Sequence, residues 1–220
     1  MTRDGTINAS ALEAPQRENR AARQKAGRLR TVRTGFAHHQ AGRLRQAAAL
    51  YRKVLDKNPD DPNALHLLGV VANQRGAAGS AVCLIERALP ALSDIPDVHL
   101  NRGNALREVG RLAEAVASYR RALTLNPDYG IAHNNLAAAL NEGEEFEAGL
   151  ASSERAIALI PEFFGTYVNH AGALMGLGGL PKPRQRCVAR SISPLTGGKR
   201  IATSVGCSRS SGGTRKQWPA

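Results

Sequence analysis

Asn101, Asn135 and Asn169 stand 34 residues apart. Each amide offers a donor and an acceptor, so a row of them could hydrogen-bond the backbone of an extended peptide without reading its side chains. His99 and His133 keep the same spacing and raise the question of a metal. Neither has an acidic or histidine partner three or four residues on, and metal ligands must converge, so packing is the expected role. No Ser, Cys or Asp stands in a nucleophile motif. Thr196-Gly197-Gly198-Lys199 suggests a phosphate loop, but the leading Gly and the following Ser/Thr are absent and no strand precedes it. Gly176, Gly178 and Gly179 lack the dinucleotide spacing. The residues therefore point to no cofactor, no metal and no catalysis, and leave binding as the chemistry to explain.

The elements that carry the asparagines repeat with the same period. Ala-Gly-Arg-Leu, Ala47, Tyr51, Leu55 and Asn58-Pro59-Asp60 recur 68 residues later as Val-Gly-Arg-Leu, Ala115, Tyr119, Leu123 and Asn126-Pro127-Asp128. Sixty-eight is two periods of 34, and a divergent unit with Gly76, Ala81, Ile85 and Leu89 lies between them. A fourth unit follows with Gly149, Ser153, Ile157 and Pro161. Gly35, Gly69, Gly103, Ala137 and Ala171 form one small-residue series, and Ala47, Ala81, Ala115 and Gly149 another. Small residues in phase on two helices mark a close crossing. Gly42, Gly76, Gly110 and Gly178 supply turns with access to positive φ, while the fourth unit has Gly143 one place early. Pro59, Pro127 and Pro161 end the second helices; the second unit has Ser93 in phase and Pro96 three residues later.

This pattern resembles the tetratricopeptide repeat (TPR) family. The resemblance covers about residues 30–180, with units at about 28–61, 62–95, 96–129 and 130–163 and a lone first helix at 164–178. It implies an all-α, right-handed superhelical solenoid of antiparallel helix hairpins, whose first helices line a concave groove for a peptide. In that frame Asn101, Asn135 and Asn169 face the groove, as does the asparagine ladder of O-linked N-acetylglucosamine transferases. Asn104, Arg107, Asn134 and Asn141, with His66 and Asn73, are expected on the groove or its rim. The clamp some TPR proteins use for chaperone tails is not expected, because Val32 and Phe36 hold its Lys and Asn positions. Thr34 and His38 are polar where the family is apolar, so the first helix is expected to be frayed or displaced. Glu142, Glu144, Glu145 and Glu147 form an acidic corner at the fourth turn.

Charge falls unevenly along the chain. The net charge of +12 comes from residues 1–35 and 181–220, leaving 13 Lys/Arg against 15 Asp/Glu in 36–180. Nucleic acid is therefore not the expected ligand of the body, although the basic ends keep it as a lesser alternative. The polar, Arg-rich residues 1–27 read as disordered or as a loose helix. At 181–220 the helical pattern stops mid-hairpin at Pro181-Lys182-Pro183, and the segment reads as a disordered basic tail, either genuine or the product of a shifted reading frame. Cys83, Cys187 and Cys207 form no disulfide or zinc framework. With no signal peptide and no span long enough for a bilayer, a cytoplasmic protein is expected. The function expected is a non-catalytic scaffold for a protein or peptide. The alternative is the substrate-recruiting part of a truncated glycosyltransferase or sulfotransferase. An uncapped last helix would also permit self-association.

Overall fold

The computed structural model describes residues 9–178, with side chains from residue 22 onward. They belong to one unit of the chain, Met1–Lys182. The Thr196–Lys199 loop and the tail at 181–220 lie outside the described residues.

The described residues form helices α1 (Ala9–Gln40), α2 (Leu44–Leu55), α3 (Pro62–Gln74), α4 (Ala78–Ala88), α5 (Pro96–Glu108), α6 (Leu112–Leu125), α7 (Gly130–Glu142), α8 (Phe146–Leu159) and α9 (Phe164–Gly176). Short turns pair them as hairpins, α1 with α2 through α7 with α8, and α9 packs on α7 and α8. First helices touch one another, α1 to α3, α3 to α5, α5 to α7 and α7 to α9, whereas second helices make no comparable contact. The stack therefore curves toward the first helices, as a right-handed solenoid does. None of the described helices is long and apolar enough to cross a membrane.

Each crossing matches a missing side chain to a large one. A Cβ on Gly35 would stand 2.6 Å from Tyr51 Cε1, one on Gly69 2.7 Å from Ile85 Cγ1, and one on Gly103 2.5 Å from Tyr119 Cε1. Tyr51, Ile85 and Tyr119 are each fully buried there. The fourth crossing exchanges both partners: Ala137 faces a hairpin whose in-phase residue is the buried Ser153. The apolar core runs through α3 to α7, with a second cluster of Ala47, Ala48, Tyr51, Leu68 and Val71 under the first hairpin. Toward the end of the array it thins, α8 burying Gly149, Ser153 and Ala156 and α9 only Thr166 and Ala173.

The turns obey the period more strictly than the glycines do. Positive φ occurs at Gly42, Gly76, Gly110 and Gly178, at 71°, 79°, 79° and 70°. In the fourth unit it falls on Glu144, at 61°, while Gly143 holds an ordinary φ of −87°. The displaced glycine thus leaves its turn unchanged and puts a glutamate in the left-handed position.

α1 begins at Ala9, so residues 9–27 take the helical one of the two alternatives and continue the first helix. Ala, Arg, Gln and Glu are good helix formers and need no apolar stripe to extend a helix that is already anchored. The expectation of a frayed or displaced first helix is corrected, because Gly35 is seated on Tyr51 and Val32 packs against the cluster under the first hairpin. Arg28 Nε also pairs with Asp61 Oδ2 at 3.2 Å, and Asp61 caps α3 by accepting from the Ala64 N–H at 3.0 Å.

Candidate functional site

The candidate residues all lie on first helices. Asn101 and Asn104 lie on α5, Asn134, Asn135 and Asn141 on α7, and Asn169 on α9. The side chains bond laterally, from hairpin to hairpin. Tyr119 OH donates to Asn104 Oδ1 at 2.9 Å, and Asn135 Nδ2 donates to the same oxygen at 2.8 Å. Asn134 Nδ2 donates to Asn135 Oδ1 at 3.0 Å. Asn169 Nδ2 then donates to Asn134 Oδ1 at 2.8 Å and to the Asn134 carbonyl at 3.1 Å. Asn141 Nδ2 closes the chain on the Asn169 carbonyl at 2.8 Å.

Asn101 stands apart from this chain. Its Nδ2 lies 3.0 Å from Nε2 of His66 on α3. Burial lowers the His66 pKa, with Asp97 pulling the other way, so the imidazole is held neutral and Nε2 accepts. Asn73 is half-buried on α3, and its Oδ1 is buried with no partner among the described residues. Arg107 Nε pairs with Glu142 Oε1 across the rim at 3.6 Å. The ladder is therefore a crosslinked row in which Asn101, Asn135 and Asn169 each spend a donor on a neighbouring hairpin. Among the described residues, Asn104 Nδ2, Asn101 Oδ1 and Asn169 Oδ1 have no hydrogen-bond partner.

Residues in phase with these complete the surface. Phe36 and Val70 occupy the Asn104 position in the first two units, and Leu67 the Asn101 position. Phe36 is exposed, and Leu67 and Val70 are half-buried. The Asn104 column is apolar in the first two units, the Asn101 column holds the exposed Arg33 and then Leu67, and the amides begin at α5. Reading the repeat down its columns would have found Phe36, Leu67 and Val70; Tyr119 as a partner of Asn104 had no such signal, because it comes from a second helix. Asp97, in the first turn of α5, accepts from the hydroxyl of Tyr129, which immediately precedes α7. Burial and the Asp97 carboxylate together hold that phenol protonated above its ordinary range.

The two phased histidines have a different task. His99 Nε2 lies 2.8 Å from the Ser93 carbonyl and His133 Nε2 2.9 Å from that of Pro127. Each pins the loop that precedes its own helix, and no group of three or more potential metal ligands occurs among the described residues.

Comparison with known proteins agrees with this architecture. Residues 37–94 match a family model described as tetratricopeptide repeat, and residues 103–142 one described as TPR repeat. Curated proteins yield no match. Among solved structures, MamA is similar at 21% identity and a TM-score of 0.61, over 69% of this chain and 83% of that one. YrrB, described as a TPR protein with an unusual peptide-binding site, is similar at 18% identity and a TM-score of 0.58, over 68% of this chain and 77% of its own. An O-GlcNAc transferase of Thermobaculum terrenum is similar at 27% identity and a TM-score of 0.58, over 62% of this chain but only 26% of its own. The 34-residue hairpins, their Gly-to-Tyr crossings and these matches converge: the chain is a tetratricopeptide-repeat protein.

Proposed function

We propose that the chain is a non-catalytic interaction scaffold that holds an extended peptide or a partner's segment along the first-helix face. The observation that carries this reading is the amide row from Asn104 to Asn169, fixed from hairpin to hairpin, with Asn101 held beside it on His66, and with an unpartnered amide nitrogen at Asn104 and unpartnered acceptors at Asn101 and Asn169. Preorganised amides bind backbone without first losing side-chain entropy. Phe36, Leu67 and Val70 at the beginning of the face, beside the exposed Arg33, suit a ligand that carries apolar residues there. A displayed random-peptide library panned against the purified chain supplies the ligand, and fluorescence anisotropy measures it. Substituting Asn101, Asn104 and Asn169 together by Ala should weaken binding by about two orders of magnitude, at roughly 1 kcal/mol per lost hydrogen bond. Unchanged affinity would reject the row as the site.

A second reading rests on the likeness to the T. terrenum O-GlcNAc transferase, of whose chain this one covers a quarter. Here the same face would recruit protein substrates to a glycosyltransferase. Peptides enriched in Ser and Thr in the same panning would favour it, and ligands free of hydroxyls would count against it.

A further inference from the structure

The near-neutral body hides an axial gradient of charge. Residues 22–75 hold 11 Lys/Arg against 3 Asp/Glu, residues 76–141 hold 6 of each, and residues 142–178 hold 1 against 6. One end of the array is thus basic and the other acidic, and the two differ in apolar exposure as well.

At the acidic end, α9 contains no Lys, Arg, Asp or Glu and exposes Phe164 (76%), Val168 (52%), Tyr167 (44%) and Met175 (65%). Glu162 precedes the helix. The turn carrying Glu144, Glu145 and Glu147 lies near its far end, since Phe146 reaches Gly176. An apolar strip with acidic ends results. At the basic end, α1 exposes Arg23, Arg30, Thr34 and Ala37. Repeat equivalence gives these last three positions their meaning. Later first helices seat the same positions on the hairpin before them: Ala64, Leu68 and Val71 in α3, and Ala132, Leu136 and Ala139 in α7, all buried. The corresponding face of α1 has nothing before it among the described residues.

We propose that a second copy of this chain occupies the α9 face, docking head-to-tail through the Arg23, Arg30, Thr34 and Ala37 face of its α1. The second copy sits on α9 much as α9 sits on α7. Arginine fits this seat better than an aliphatic residue would. Its stem covers apolar surface, its guanidinium stacks on the rings of Phe164 and Tyr167, and its charge reaches the glutamates at the strip's ends. The contact joins two different faces, so it leaves one of each free and propagates into short chains. It is independent of the peptide-binding reading, because it uses the ends of the array and leaves the amide row open.

The test uses the full chain in sedimentation velocity and light scattering across a concentration series, with circular dichroism to confirm folding. Wild type should grow in mass with concentration, and 0.5 M salt should weaken association about tenfold, as two or three exposed ion pairs would require. Arg23→Glu with Arg30→Glu, and separately Phe164→Ser with Tyr167→Ser, should each give monomers. Mixed in equal amounts, the two variants should form a one-to-one dimer, since each contributes one intact end. Three results would overturn the proposal: a wild type monomeric throughout, a charge-reversed α1 variant that still associates because α9 pairs with α9, or a mixture that stays monomeric. A wild-type monomer whose α9 becomes accessible to protease only after removal of 181–220 would assign the face to the chain's own tail instead.

Discussion

Glu144 sits at a φ of 61° in a position that glycine fills in the other turns of positive φ. For a residue with a Cβ this conformation costs about 1–2 kcal/mol. Replacing it with glycine removes that strain but adds about 0.5–1 kcal/mol of chain entropy to lose on folding. The net expectation for Glu144→Gly is a gain of about 0.5–1 kcal/mol. Gly143 is the converse case: at φ −87° it needs no glycine, and a Cβ there would meet nothing closer than the Ala139 carbonyl oxygen at 3.5 Å. Gly143→Ala should therefore add a further 0.4–1 kcal/mol or so by stiffening the unfolded chain. The swapped pair should raise the urea midpoint followed by circular dichroism, with a rise in Tm of roughly 3–6 °C for an array of this size. Glu144→Gln separates strain from charge, because it relieves repulsion among the four glutamates while keeping the Cβ. Gly110→Glu, at φ 79°, runs the experiment in reverse and should destabilise by about as much as Glu144→Gly stabilises. If Glu144→Gly leaves the midpoint where it was, or Glu144→Gln equals it, the left-handed turn is not where the energy lies and the reasoning fails.

Gly103→Ala should cost about 1–3 kcal/mol despite its better helix propensity, because the new methyl meets the buried Tyr119 ring at 2.5 Å; thermal denaturation checks it. The two buried tyrosines should part company when their hydroxyls are removed. Tyr51 OH is buried without a partner, so Tyr51→Phe should be neutral or stabilising, whereas Tyr119→Phe loses the bond to Asn104 and should cost about 1 kcal/mol by urea titration. The hydroxyl of Tyr51, pushed up to about 12 by burial, should also escape spectrophotometric titration until strongly alkaline pH. For His66 the folded pKa is lowered by burial, so the unfolded chain binds the proton more tightly. The stability this group supports is complete above its ordinary value of 6.5 and declines as pH falls below it. His66→Gln should flatten that part of the profile between pH 7 and 5, and an unchanged slope would show that the Asn101 contact is not the sensitive one.

The period, the crossings and the turns could be read from residue types because each is a local steric demand repeated at a fixed offset. Glycine opposite tyrosine and glycine at positive φ leave marks in one dimension. The amide row could be placed on its face but its bonding could not be foreseen. Its partners lie 31 or 35 residues apart, Asn104 with Asn135 and Asn134 with Asn169, and not at the period itself. That offset comes from the rotation between stacked hairpins, which no single unit encodes. The extension of α1 back to Ala9 was open between disorder and a loose helix for another reason. Its residues carry helix propensity without amphipathic pattern, and pattern was the stronger guide to order. Glu144 shows the limit from the other side, since the turn kept its register when the glycine moved.

The fourth crossing has a mechanical consequence. In a linear array each hairpin leans only on its neighbours, so pulling unravels it from whichever end holds least tightly. The first three crossings are filled by the fully buried Tyr51, Ile85 and Tyr119, each close against the glycine it faces, but the fourth closes on Ser153. A machine that threads the chain from its C-terminal side would meet weak resistance at α9 and α8, then a step at the Tyr119 ring. Threaded from the other side, it would meet a tyrosine at the first hairpin, which gives the array a direction in which it yields.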